Sequence, residues 1–260
     1  MKVSFIRHGD AQYVNTDHAK DFLCLYGDLK PDAIEKLQGQ ARAFAEKIEP
    51  DEIITVWSSP IPRTVETANI FTDEFDKKEI SIRKRKLFAI FEEARGFRWE
   101  YLRGMVTGGD TKIHGHTVVL DKNITNPKGL SFGRYFRESA WKQIPTDYLN
   151  SLGEKGEVLA NIETFSSLTK RIFRELERLS RVNIGHKNHI LIFTHQCNTD
   201  FLTELLNEYQ QGGILTGENV TLEKNDMDFD IVDFPQEITN EGSHKNIIAN
   251  TKEKFTDILG

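Results

Sequence analysis

At 260 residues, with 38% hydrophobic and 28% charged side chains, the chain can bury a substantial core as one domain, or as one domain with a large insertion. A net charge of −6 and a pI near 5.8 argue against a general nucleic-acid binder, which would carry a basic domain, and no run approaches the ~20 apolar residues of a membrane span. Met1-Lys2-Val3 leads straight into a strand pattern instead of a signal peptide, and Cys24 and Cys197 imply no disulfide framework, so a reducing cytoplasm is the expected setting.

An apolar run from Lys2 to Ile6 predicts a first strand, followed by a helix near 31–48. A β-branched run, Ile53 to Val56, predicts a strand over 53–57, and the Ser-Pro after it opens a helix near 62–72, with Pro62 tolerated in the first turn. A strand near 80–88 leads into an irregular middle. Leu159, Ile162, Phe165, Leu168, Ile172, Leu176 and Leu179 recur at steps of three and four, which predicts one long amphipathic helix. A strand over 189–194, a helix over 198–207, and two short strands, Asn219 to Leu222 and Phe229 to Val232, across a turn at 225–228 complete the pattern. The alternation predicts an α/β fold, a three-layer α/β/α arrangement on a mostly parallel central sheet.

Three strands end on chemistry-bearing residues: Arg7-His8-Gly9, Trp57-Ser58-Ser59-Pro60-Ile61-Pro62-Arg63, and Thr194-His195. Ligands of open α/β sheets collect outside the carboxyl ends of the strands, so these endings can converge although they lie far apart in sequence. Arg63 would sit near a helix N-terminus, where free N–H groups and the helix dipole favour an anion. The set, with Thr67-Ala68 after Arg63, resembles the histidine phosphatase superfamily, the phosphoglycerate-mutase-like enzymes, in motif and in order. Leu29 to Leu37, Gly156-Glu157 and Gly217 to Glu223 are weaker similarities, so the resemblance covers roughly residues 1–96 and 153–235.

The resemblance implies a catalytic core from 1–96 and 153–260, with 97–152 as an inserted cap. It implies a histidine acid-type phosphatase that hydrolyses phosphate monoesters without a metal or other cofactor. Arg7 and Arg63 suit this chemistry because a guanidinium is always charged and presents a planar donor fork to phosphate oxygens. His8 would attack phosphorus through a neutral ring nitrogen to form a phosphohistidine, its other nitrogen held as a donor by a backbone carbonyl. His195 would donate to a phosphoryl oxygen. The family draws the leaving-group proton from a Glu after the third strand, and Glu92 is preferred over Glu93 because Gly96 follows it by four residues, as in the family's Glu-x-x-x-Gly.

Asn15 is a further candidate for the phosphoryl group, although a turn also explains an Asn there. Ser59 reads as ordering the turn before Arg63. In the middle segment Arg98, Arg103, Lys112, Lys122, Lys128, Arg134, Arg137 and Lys142 outnumber the acids, which reads either as a lid supplying Arg134 and Arg137 to an anionic substrate or as a solvated surface. His114-Gly115-His116 and His186 to His189 read as solvated or core histidines, since no cysteine or carboxylate pattern completes a zinc site. A phosphoglycerate-type mutase is the second reading, because it would use the same residues. A noncatalytic phosphate-recognition scaffold is the third. The expected partner is a phosphorylated small molecule or phosphoprotein, with neither nucleic acid nor membrane, and oligomeric state is not legible.

Overall fold

The computed structural model describes residues 1–11, 29–96, 98–182, 185, 187–199, 214–234 and 245–254. In chain order the first elements are β1 (Lys2–Arg7), α1 (Pro31–Ala45), β2 (Ile53–Ser58), α2 (Pro62–Asp76) and β3 (Ile82–Leu87). Then come α3 (Trp99–Thr107), β4 (Gly109–Ile113), β5 (His116–Leu120), α4 (Lys122–Thr125), α5 (Phe132–Arg137), α6 (Thr146–Ser151), α7 (Glu154–Ala160) and α8 (Phe165–Arg181). The chain continues with β6 (Asn188–Thr194), β7 (Asn219–Asn225), β8 (Asp228–Asp233) and a helix, Ile247–Lys254.

The described residues of Met1–Val14, Leu23–Glu93 and Arg171–Gly260 form one compact unit. Its sheet has the order β3-β2-β6-β1-β7-β8. The first four strands run parallel, and β7 and β8 are added antiparallel. Strand side chains alternate between faces, so a sheet covered on both sides must be apolar at successive positions. Ile6, Ile54, Val56, Leu191 and Phe193 pack with Leu37, Phe44, Phe71 and Phe75 of α1 and α2 on one face. Val3, Phe5, Ile190 and Ile192, which point the other way, are equally buried. The expected layered α/β fold is therefore present, and the register sets the strand ends side by side, with Arg7 opposite Thr194 and Ser58 opposite Phe193.

The described residues of Ala94–Lys170 form a second compact unit, wider at both ends than the 97–152 segment. It has its own core, including Tyr101, Leu102, Met105, Ile113, Leu120, Tyr135 and Trp141. α3 lies so close to β4 that a Cβ on Gly104 would meet Thr111 Oγ1 at 1.7 Å. β4 and β5 form a hairpin whose turn residues His114 and Gly115 both have positive φ, 49° and 79°, as two-residue hairpin turns require.

One expectation is corrected. The apolar stripe from Leu159 to Leu179 spans two helices, α7 and α8, and not one. Backbone groups between them are bonded elsewhere: Glu163 N–H donates to the Arg95 carbonyl at 2.8 Å, and the Ile162 carbonyl accepts from Trp141 Nε1 at 3.3 Å. Of the helix expected over 198–207, residues 196–199 are helical and 200–207 lie outside the described residues.

Candidate active site

β1 delivers Arg7 at its last residue and His8 immediately beyond. The His8 N–H donates to the Thr194 carbonyl at 2.9 Å, and the Arg7 carbonyl accepts from Gly217 N–H at 2.9 Å, so the strand tip is fixed from both neighbours. Gly9 packs closely on α1: a Cβ there would stand 2.4 Å from Leu37 Cδ1, so that buried side chain would have to shift. Its N–H donates to Thr67 Oγ1 at 3.0 Å, and that hydroxyl donates to the Arg63 carbonyl at 2.7 Å. Thr67 thus ties the first motif to the second, a role the sequence motif contains without explaining.

Arg63 is the second residue of α2 and is 3% exposed. Its Nε donates to His8 Nε2 at 3.1 Å, and its Nη2 reaches His195 Nδ1 at 3.2 Å and Glu93 Oε2 at 2.6 Å. The His8 and His195 rings lie edge to face, 5.1 Å between centroids. Arg7 belongs to the same strand end and donates through Nη1 to the Ile214 carbonyl at 2.6 Å.

The geometry fixes both tautomers. His8 Nδ1 is 2.7 Å from the Gly9 carbonyl, which can only accept, so Nδ1 carries the proton and Nε2 presents a lone pair. Burial and the charges of Arg63 and Arg7 hold His8 well below the ordinary histidine pKa, against the opposing Gly9 bond. His195 accepts from Arg63 at Nδ1, so its Nε2–H donates to Ser59 Oγ at 3.0 Å. Burial, Arg63 and His8, followed by Arg171 and Arg7, push it likewise well below the ordinary value. Both rings are neutral near neutral pH, amid guanidinium groups and one half-buried carboxylate.

That carboxylate belongs to Glu93, whose side chain is 31% exposed. The hydrogen bonds described for Glu92 run through its backbone, and none of its side-chain atoms joins the cluster among the described residues. The segment carrying both is clamped by groups from distant sequence. Arg171 of α8 donates to the Ile90, Glu92 and Glu93 carbonyls, the last two at 3.2 and 3.4 Å. Asn198 Nδ2 donates to the Phe91 and Glu92 carbonyls at 2.6 and 3.0 Å, and Thr194 Oγ1 donates to the Phe91 carbonyl at 2.8 Å. Sequence reasoning missed Arg171 and Asn198; no local pattern marks either.

Arg134 and Arg137 lie on α5 of the second unit, where Arg134 pairs with Glu138 at 2.5 Å and Arg137 Nε donates to the Gly133 carbonyl at 3.3 Å. Asn15 lies outside the described residues. His189 is a core residue: its Nε2 meets Ser4 Oγ at 2.8 Å and its Nδ1 meets Glu52 Oε2 at 2.9 Å. Among the described residues no group of three or more His, Cys, Asp or Glu could hold a metal ion, and no helix is long and apolar enough to cross a membrane.

Residues 3–89, which contain the first two motifs, match the model of the histidine phosphatase superfamily (branch 1). No curated protein matches the sequence. Among solved structures the chain is similar to a phosphoglycerate mutase from Bacillus anthracis at 13% identity, over 97% of this chain and 96% of that one, with a TM-score of 0.59. It is also similar to the structure titled mycobacterial hydrolase 2 (11% identity, 97% of each chain, TM-score 0.54). A third similar structure is a mycobacterial glucosyl-3-phosphoglycerate phosphatase in complex with VO3 (12% identity, 91% of this chain and 99% of that one, TM-score 0.51). At such identities these structures establish a shared fold, one on which both a phosphatase and a phosphomutase are built.

Proposed function

We propose that the chain is a phosphatase that hydrolyses phosphate monoesters through a phosphohistidine on His8. The observation that carries this reading is the neutral His8 ring, held as the Nδ1–H tautomer by its bond to the Gly9 carbonyl, with the Nε2 lone pair turned to Arg63 Nε, a bond that an arriving phosphoryl group would replace. A phosphoryl group placed on Arg7 and Arg63 would have its charge neutralised and its phosphorus presented to that lone pair. Attack by Nε2 breaks the bond from phosphorus to the ester oxygen, and the leaving oxygen takes a proton from a carboxyl group. Water then attacks the phosphohistidine, returns a proton to that carboxylate and releases inorganic phosphate. The scheme requires no metal.

Geometry favours Glu93 over Glu92 as the proton carrier. Phosphate arriving on Arg63 competes with Glu93 for the same guanidinium; the carboxylate released from that pair takes a proton from solvent beside the dianionic phosphate and, as a carboxyl group, passes it to the leaving oxygen. His195 acts by donating from Nδ1 to a phosphoryl oxygen: a phosphate ester arriving as its monoanion displaces Arg63 from Nδ1 and hands its proton to that nitrogen, while Nε2–H stays on Ser59 Oγ. The second unit is assigned the role of a cap, with Arg134 and Arg137 as its cations for an anionic substrate.

The test is hydrolysis of para-nitrophenyl phosphate in EDTA by the wild type and by His8→Ala, with the phosphoenzyme sought in parallel. Activity that persists in EDTA, is lost with His8 and is accompanied by an acid-labile, base-stable phosphoenzyme is the expected result. Equal activity in the variant would remove His8 as nucleophile. No turnover, in a protein that still forms the phosphoenzyme, would move the reading to the mutase.

A further inference from the structure

β3 reads Ile-Arg-Lys-Arg-Lys-Leu, and every residue after Ile82 is exposed. Four consecutive cations, Arg83 to Lys86, thus stand together in a chain whose net charge is −6. Among the described residues none of the four forms an ion pair; Arg85 donates to Asn69 Oδ1 and Lys86 lies 4.4 Å from the Phe88 ring centroid. β3 is also the edge of the sheet: it pairs with β2 on one side, and no described strand pairs on the other. The register shift between Ile54 and Thr55 falls at the start of the strand, and from Lys84 to Leu87 the pairing with Thr55 to Ser58 is regular.

Register distributes these side chains. Arg85 lies opposite Val56, whose face packs on α1 and α2, in keeping with its bond to Asn69 of α2. Lys84 and Lys86 take the opposite face. Leu87, 58% exposed, shares the face of Arg85 and closes the row. Cations on both faces of an edge that no described strand covers, with one apolar side chain at the end, make a ridge that a flat polyanion would touch on one side only. A polypeptide strand added to the edge places its own side chains alternately on both faces and uses the main-chain groups besides.

We propose that the outer edge of β3 docks an extended acidic polypeptide segment, a run of carboxylate side chains next to an apolar residue, by strand addition. The free ladder groups would supply register, the cations would select acids opposite Lys84, Arg85 and Lys86, and Leu87 would take the apolar residue. The edge ends beside the candidate site, since Leu87 pairs with Ser58, one residue before the Ser59 that bonds His195. The docking inference goes beyond the phosphatase reading and stands whether or not His8 is a nucleophile.

The experiment is fluorescence anisotropy on the full chain with three labelled probes: a peptide of four glutamates followed by leucine and valine, the same peptide N-methylated at alternate amides, and oligodeoxythymidine. The expected result is binding of the first peptide that weakens several-fold between about 50 and about 200 mM salt, where screening grows. N-methylation and Lys84→Gln with Lys86→Gln should each weaken it by about tenfold or more. Circular dichroism checks that the variant is folded, and the probe comparison on the wild type decides the matter if it is not. Equal binding of all three probes would overturn strand addition in favour of a general polyanion surface. No binding of any probe would overturn the docking proposal, and a variant that then self-associates where the wild type does not would mark the charges as a device that keeps edges apart.

Discussion

Two buried histidine clusters sit at opposite ends of the central strands, and they differ in charge and access more than in residue type. At the amino ends, His189 bridges Ser4 and Glu52, Ser4 reaches Thr221 at 2.7 Å, and Lys2 donates to Glu52 at 2.6 Å. Burial opposes the Glu52 charge, but the hydrogen bonds from His189 and Lys2 outweigh it and hold the carboxyl below its ordinary range. Serine, histidine and glutamate in a row look like a hydrolytic triad, yet Ser4 is 0% exposed in mid-strand and no substrate reaches it. At the carboxyl ends His8 and His195 face guanidinium groups, with the Glu93 carboxylate paired to Arg63. One cluster is sealed in mid-sheet; the other gathers guanidinium groups around two histidines where the strands stop, with a half-buried Glu93 carboxylate on Arg63, and that is what makes it a candidate site.

Exchanging one histidine in each cluster should separate the two most sharply. His8→Asn is expected to lower phosphate-ester turnover by about a thousandfold or more, about 4 kcal/mol of barrier, in a protein that still unfolds cooperatively. Next in size, Glu93→Gln should slow alkyl phosphates by about a hundredfold and aryl phosphates far less, while Glu92→Gln changes either by less than about threefold. Steady-state rates on both substrate types check this, and the reverse pattern would restore Glu92 as the acid. His189→Asn should leave turnover intact and cost about 1–3 kcal/mol in urea unfolding, since it strands buried partners.

The pH dependence follows from the direction of the two shifts. His8 and His195 bind protons more weakly folded than unfolded, so stability is complete above the unfolded value of about 6.5 and declines as pH falls below it. The slope is up to about 1.4 kcal/mol per pH unit for each histidine, and His8→Asn should remove one share of it in urea titrations between pH 7.5 and about 5. The smallest effect belongs to the proposed cap: Arg134→Glu with Arg137→Glu should raise KM for a multiply charged phosphate ester a few-fold and leave para-nitrophenyl phosphate unaffected. Unchanged kinetics on both would end the lid reading.

The core of the site was legible because its parts end strands. Arg7-His8, Arg63 and His195 each follow an apolar run, and parallel register does the rest. The two-helix break at 161–164 was hidden because both helices continue one apolar stripe, and the backbone bonds to Arg95 and Trp141 that interrupt it leave no periodic trace. Glu92 was preferred on its spacing to Gly96, which says nothing about which carboxylate turns toward Arg63. Arg171 and Asn198 act across 78 to 107 residues on backbone carbonyls, which carry no side-chain identity for a sequence pattern to register.

Arg171 has one more consequence. The chain leaves the first unit after Glu93 and returns at Arg171, and the returning guanidinium holds the departing carbonyl. Exit and entry are stitched together by groups of the first unit itself. Such a seam would make a grafting point: were the intervening unit shortened or replaced, Glu93 would keep its place beside Arg63. New specificities could then be acquired by exchange of a whole module, with the reaction machinery inherited unchanged.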